Sequence, residues 1–277
     1  MKRICFPNFW LNFSQTNNFF YNLLKSEKDL IIDYTKPELV IYSVFGDYHT
    51  RYPETVYQKV FYTGENIKPG IHKSISFEPD SEKNLRLPLW VLYIDHFGIP
   101  QTGNSPSYLI PKEDLYRKVN NTQEHFCGFV FSNTAGERVN LFNSLSKYKE
   151  VTSGGPLLNN FPLIPKGELE KISFLRKCKF SCCFENSSSP GYTTEKLLHG
   201  LVSGGVPLYW GGETDDFNPK RYLRMNTDTD SFVDLIKQVD TDSEMYNEIL
   251  AQPIFTPDQK VRFEEYLPRT KNFLLKE

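Results

Sequence analysis

Apolar residues recur along this chain in two rhythms, one suited to buried strands and one to amphipathic helices. Short apolar runs at 3–6, 38–45 (ELVIYSVF), 59–63, 73–77 and 85–93 read as strands, and 17–26 reads as a helix. Residues 98–107 (GIPQTGNSPS) break the pattern with Gly, Pro and Ser, and the polar stretch runs on to 124. This is the expected inter-domain link, giving domains at 1–115 and 116–277. A second series starts with a strand at 126–132 (FCGFVFS), a helix at 137–148, the segment 151–155 and a helix at 167–177. In 178–184 (CKFSCCF), Cys178, Phe180, Cys182 and Phe184 alternate onto one face. That reads as a half-buried strand with two of its three cysteines in the core. Helices at 230–238, 242–251 and 258–271 close the chain, each opening on an Asp that can serve as N-cap. Strands alternating with helices imply parallel sheets and an α/β class. Neither internal repeats nor low-complexity tracts interrupt the series.

The most informative segment is 184–211, FENSSSPGYTTEKLLHGLVSGGVPLYWG. A strand runs into a Ser/Pro/Gly turn, and a helix opens at Thr193 and Thr194. The helix stops at Gly204 and Gly205, and a second apolar strand follows at 206–210. Such a unit places a turn and a helix N-terminus at the carboxyl end of a strand, where open α/β sheets bind ligands. Unpaired N–H groups at a helix N-terminus suit an anion such as a phosphate. Glu195 and Lys196 fall in the first helical turn, which sets an acceptor for sugar hydroxyls beside a cation for phosphate.

Charge narrows the partners. Lys and Arg total 32 against 34 Asp and Glu, a net charge of −2. Nucleic-acid binding normally shows as a basic excess, so a nucleic-acid partner is not expected. The five cysteines have no regular spacing, no CxxC pair and no His at ligand distance, so neither a disulfide framework nor a zinc site is expected. Reduced thiols favour the cytoplasm. No apolar run approaches a membrane span, and membrane contact is expected to be peripheral at most, at the inner membrane. The N-terminal MKRICFPNFWLNF sets two cations before an apolar stretch. Pro7, Asn8 and Asn12 interrupt it, and a first β-strand is the better reading.

The FENS, GY, TEK and PLYWG blocks of 184–211 resemble the donor-binding signature of the α-1,3/4-fucosyltransferases, the inverting GDP-fucose enzymes of family GT10. Residues 61–66 (FYTGEN) are similar to that family's acceptor-domain motif, and 132–138 (SNTAGER) to its Ser-Asn…Arg segment. Residues 151–155 (VTSGG) and 216–219 (DFNP) match in kind and order. The resemblance implies a GT-B-like fold, two Rossmann-like domains facing a central cleft. The first would bind the acceptor and the second GDP-fucose. Members of the eukaryotic secretory pathway carry an N-terminal anchor and stem. This chain shows neither, so it resembles a bacterial-type soluble form or a trimmed catalytic part.

Sugar transfer from a nucleoside diphosphate needs a base for the acceptor hydroxyl and positive charge for the leaving diphosphate. The resemblance implies Glu65 as the base, and a turn carboxylate capping a nearby N–H is the alternative. It implies Arg138 and Lys196 as cations on the diphosphate, Glu195 on the ribose hydroxyls, and Asn186 and Tyr192 as further donor contacts. For these last two, turn organisation by Asn186 and a core position for Tyr192 are the alternatives. Gly154 and Gly155 would let backbone approach the nucleotide. The role of Glu185 is open.

No cofactor and no divalent metal are expected, because fixed cations and helix ends serve GT-B enzymes in place of a metal. Asp228-Thr-Asp230 has the form of a DxD metal motif, but its place at a helix start suits an Asp cap. Trp10, Trp90 and Trp210 are left to the core, since a chain with 15% aromatic residues needs most of them there. Residues 49–55 and 67–76 are the expected acceptor loops. The expected activity is transfer of L-fucose to O3, or O4, of an N-acetylglucosamine-type unit in an oligosaccharide acceptor. A catalytically inactive nucleotide-sugar or carbohydrate-binding protein on the same fold is the alternative.

Overall fold

The computed structural model describes residues 1–100 and 106–276. Residues 101–105, part of the expected link, lie outside the described residues. The chain divides into two compact units, Met1–Leu109 with Val261–Glu277, and Ile110–Lys260.

The first unit holds a six-stranded parallel sheet. Its strands are β1 (Lys2–Cys5), β2 (Leu30–Ile32), β3 (Leu39–Tyr42), β4 (Gln58–Tyr62), β5 (Ser74–Ser76) and β6 (Asn84–Arg86), in the order β2-β1-β3-β4-β5-β6. A short β7 (Ile94–Asp95) follows. The run LVIY of β3 is buried at every position, the pattern of a strand covered on both faces. Between β1 and β2 lies the helix α1 (Phe19–Lys25), capped by Asn18, whose Oδ1 accepts from the Tyr21 N–H at 2.9 Å. Only the start of the strand expected at 85–93 is realised, as β6. Pro88 has no N–H to give a ladder, and Leu89–Tyr93 winds into a 3₁₀ turn instead. β2 was not expected, because three residues are too few to show a period.

The second unit begins with a short β8 (Ile110–Pro111). Its five-stranded parallel sheet is built from β9 (His125–Phe129), β10 (Val151–Ser153), β11 (Cys178–Phe184), β12 (Val206–Trp210) and β13 (Leu223–Arg224), in the order β10-β9-β11-β12-β13. Crossover helices α2 (Gly136–Ser146), α3 (Glu168–Leu175) and α4 (Glu195–Val202) connect successive strands, with α5 (Thr229–Thr241) and α6 (Ser243–Ala251) after β13. Both units are α/β with parallel sheets, as the alternation of strands and helices anticipates, and each has the Rossmann-like form that the family resemblance implies.

The central strand β11 is more buried than expected. All three of its cysteines are at most 3% exposed, because helices cover the face opposite Phe180 as well. On that second face a Cβ at Gly200 of α4 would overlap the Cys183 sulfur, so helix and strand pack without a gap. Phe180 is fully buried against Phe126 and Tyr246. Phe180→Ala is expected to cost about 3–5 kcal/mol, read from the denaturation midpoint.

Helix ends follow their caps. α4 starts at Thr194 and ends before Gly204, whose φ of +83° is the left-handed turn that glycine takes without strain. α5 is capped by Asp228 rather than Asp230, and α6 by Asp242 as expected. The last helix, α7 (Pro257–Leu275), opens on a reciprocal pair instead of Asp258. Thr256 N–H donates to Gln259 Oε1 at 2.9 Å, and Gln259 N–H donates to Thr256 Oγ1 at 3.3 Å.

From Val261 onward α7 belongs to the first unit, whereas the expected division at 115/116 placed all of 258–271 in the second. Its buried stripe of Phe263, Tyr266, Thr270 and Leu274 explains why. Phe263 stacks on Trp90 at 5.7 Å, and Arg269 and Lys271 pair with Asp80 and Glu27. No described helix is long and apolar enough to cross a membrane.

Candidate active site

In the second unit the ends of β9 and β11 and the N-terminus of α4 bring together three cations and two carboxylates. Glu185 follows β11 directly and is fully buried. Its Oε1 accepts from the Thr194 N–H at 2.8 Å, and both its oxygens accept from the Thr194 hydroxyl at 3.0 and 2.7 Å. Lys196 Nζ lies 3.4 Å from Glu185 Oε2, 3.3 Å from Glu195 Oε1 and 3.1 Å from Thr194 Oγ1. The role left open for Glu185 is thus a structural one. Its carboxylate fastens the turn 186–194 to the start of α4 and holds Lys196 beside it.

Arg138, in the first turn of α2, is 1% exposed. It donates to Phe184 O from Nη2 at 2.8 Å and from Nε at 3.3 Å, to Asn186 Oδ1 at 2.6 Å and to Asn133 O at 3.2 Å. The guanidinium also stacks on Phe131 at 4.2 Å. Arg138 therefore orders the strand end and the exposed Asn186 that follows it. Tyr192 is 2% exposed, and its carbonyl accepts from Tyr209 Oη at 3.4 Å.

Gly155 also has a packing reason of its own. A Cβ there would come within 2.6 Å of the Phe131 backbone, so its close approach is to β9's extension. At Gly154 a Cβ would come within 2.5 Å of the Ile164 side chain. Asp228 spends its carboxylate on the Ser231 N–H and hydroxyl, at 3.0 and 2.8 Å. Among the described residues no group of three or more His, Cys, Asp or Glu is placed to hold a metal ion.

In the first unit Glu65 follows β4 through Gly64, and its side chain is exposed. Its N–H donates to Thr63 Oγ1 at 3.0 Å and its carbonyl accepts from Ile67 N–H at 2.7 Å. The backbone thus forms the turn, and Glu65 lines a cavity of about 260 Å³ together with Trp10, Ser43, Phe45, Gly64, Leu89, Leu92, Tyr93 and Pro106. Trp10, which the sequence left to the core, contributes to this wall. Neither expected acceptor loop does. His49 stacks on Tyr42 at 4.2 Å, and His72 pairs with Glu54 at 2.7 Å.

Two stretches match one family. Residues 4–93 match the α-(1,3)-fucosyltransferase FucT N-terminal domain, and 120–251 match the glycosyltransferase family 10 (fucosyltransferase) C-terminal domain. The chain belongs to glycosyltransferase family 10.

Its sequence is 29% identical over 242 residues to the α-(1,3)-fucosyltransferase FucT of Helicobacter pylori, covering 76% of this chain and 50% of that protein. It is 30% identical over 139 residues to the 4-galactosyl-N-acetylglucosaminide 3-α-L-fucosyltransferase 9 of Mus musculus, covering 45% of this chain and 36% of that one. The family 10 chain therefore spans half the length, or less, of these curated relatives. A crystal structure of an α1,3-fucosyltransferase superposes with a TM-score of 0.77 at 24% identity, covering 100% of this chain and 90% of that one. One with GDP superposes with a TM-score of 0.75 at 25% identity, covering 100% and 91%.

The family 10 signature omits one residue of the cluster. Lys171, in the first turn of α3, sets its Nζ 6.0 Å from the Phe131 ring that Arg138 also covers. Burial lowers its pKa, and Glu195 opposes that shift most strongly. Side chains in the first turn of a helix lean toward its N-terminus, which here means toward the strand ends. That rule was the signal available in the sequence. His199, by contrast, is pushed down to about 3 by burial and stays neutral.

Two neighbouring carboxylates shift in opposite directions. Burial raises the pKa of Glu185, and Lys196 only partly offsets it. Burial also disfavours ionised Glu195, but the charges of Lys196 and Lys171 outweigh it and bring it from 4.5 to about 2. A carboxylate with a depressed pKa stabilises the fold above its unfolded pKa and loses that contribution as pH falls through the folded value. Thermal stability should therefore gain an acid-labile part between about pH 4.5 and 2. Glu195→Gln should flatten this limb, and melting curves across that range compare the two proteins.

Proposed function

We propose that this family 10 chain transfers L-fucose from GDP-β-L-fucose to O3, or alternatively O4, of an N-acetylglucosamine-type unit in an oligosaccharide or glycoconjugate acceptor, with inversion. The observation that carries the reading is the group of Arg138, Lys171 and Lys196 around Glu195 at the strand ends of the second unit. Three cations against the two carboxylates Glu185 and Glu195 leave about one positive charge where a diphosphate would accumulate negative charge. The N-terminal N–H groups of α4 add to it.

Glu65 takes the proton of the acceptor hydroxyl, whose oxygen attacks the anomeric carbon while the bond to the diphosphate breaks. A single displacement converts the β-linked donor into an α-linked product. Arg138 and Lys196 hold the leaving diphosphate, Glu195 the ribose hydroxyls, and Asn186 and Tyr192 the rest of the donor. Fixed cations supply the charge stabilisation, so the reading requires no cofactor and no divalent metal. Five unpaired cysteines fit a reducing compartment, and we place the reaction in the cytoplasm.

The test is incubation with GDP-fucose, with and without an N-acetyllactosamine acceptor, following release of GDP. Release that depends on the acceptor is expected. GDP-fucose binding without release on any acceptor would make the chain a binding protein, and release indifferent to acceptor would make it a hydrolase.

A further inference from the structure

A second cavity lies at the amino ends of the strands in the second unit's sheet. Arg221, 5% exposed, donates from Nη1 to Gly205 O at 3.0 Å, immediately before β12 begins. The donor cluster sits past the carboxyl end of the neighbouring β11. The five residues of β12 separate the two ends by roughly 16 Å at about 3.3 Å per residue.

Arg221 lines a cavity of about 770 Å³ whose wall also carries Arg117, Lys118 and Lys260 and no Asp or Glu. Arg117 is committed to Asp114 at 2.9 Å. Arg221 has one carbonyl acceptor and no carboxylate within ion-pair distance among the described residues. Burial lowers its pKa to about 10. A buried charge without a counter-ion is costly, so something must compensate it.

Two helix C-termini contribute. α4 ends at Val202 and α6 at Ala251, and residues at both ends line the cavity. Each helix end is worth roughly half a negative charge, about −1 together. Arg221, Lys118 and Lys260 supply three positive charges, leaving about +2. A phosphate monoester carries about −1.5 to −2 at neutral pH and matches that remainder.

The volume exceeds what a phosphate alone fills and lies in the range of small-molecule sites. Phe255 and Tyr116, with ring centroids 6.3 Å apart, and Lys260 at 4.8 Å over Tyr116 offer a surface for an uncharged body attached to the phosphate. We propose that this cavity binds a phosphate monoester of an organic alcohol, either free in solution or as a lipid headgroup.

Calorimetry of the full chain with glycerol 3-phosphate, and sedimentation with vesicles containing phosphatidic acid against phosphatidylcholine alone, test this with GDP present to occupy the donor cluster. Binding of glycerol 3-phosphate indicates a soluble ester, and binding to phosphatidic acid vesicles alone indicates the headgroup. Both support the site, provided the exposed double variant Lys118→Ala/Lys260→Ala weakens binding at least tenfold with an unchanged melting temperature. Arg221→Met should do the same wherever it folds. Absence of binding to either probe, or binding unaffected by the Lys118→Ala/Lys260→Ala pair, overturns the proposal.

Discussion

Replacing Glu65 by Gln is expected to lower the rate of fucose transfer by about 10²–10⁴-fold, the usual contribution of a positioned general base. The change keeps shape and removes only the basic oxygen. Local structure should survive it, because the turn rests on backbone bonds to Thr63 and from Ile67 rather than on the Glu65 carboxylate. Glu65 is exposed and packs into no core. GDP affinity should stay within a few fold, since Glu65 is not part of the cluster around Lys196. Steady-state rates and calorimetry separate the two effects. Transfer within about fivefold of the parent would remove Glu65 from the reaction.

Lys196→Ala should act on the other half of the chemistry. Hydrogen bonds to charged groups are worth about 1.5–3 kcal/mol, so GDP should bind about 10–100-fold more weakly. The same change strands Glu185, fully buried with Lys196 as its nearby cation, and the melting temperature should fall as well. A second substitution separates the two losses. In Lys196→Ala/Glu185→Gln the buried carboxylate is neutral, so stability should recover in part while affinity does not. GDP affinity unchanged by Lys196→Ala would contradict the diphosphate assignment.

The elements that carry the second unit's cluster could be read from spacing, whereas the roles of its residues came from the family resemblance. The order strand, turn, helix and strand over 184–211 follows from an apolar run, a Ser/Pro/Gly break, a Thr cap and a Gly pair. Each of these has a local cause, and the elements fall within a residue or two of the expected ends. What escaped was set by tertiary packing. The second face of β11 is buried because α4 lies on it, which alternation within CKFSCCF does not encode. α7 joins the first unit because Phe263 meets Trp90, a contact across most of the chain. Trp10 and Glu65 line one cavity although 55 positions separate them in sequence. Lys171 carries no motif and joins the cluster only because α3 packs beside α4. Glu185 had no reading from an extended strand, since its partner Thr194 comes near only once the turn is formed.

The most direct measurement is the structure of the product. The chain is incubated with GDP-β-L-fucose and N-acetyllactosamine, and the isolated trisaccharide is analysed by NMR for the linkage and configuration of its fucose. An α-L-fucosyl residue on O3 of the N-acetylglucosamine, whose O4 already carries galactose in this acceptor, is the predicted result. A β-linked fucose, or intact acceptor recovered from a protein that binds GDP-fucose, would contradict inverting transfer at this site.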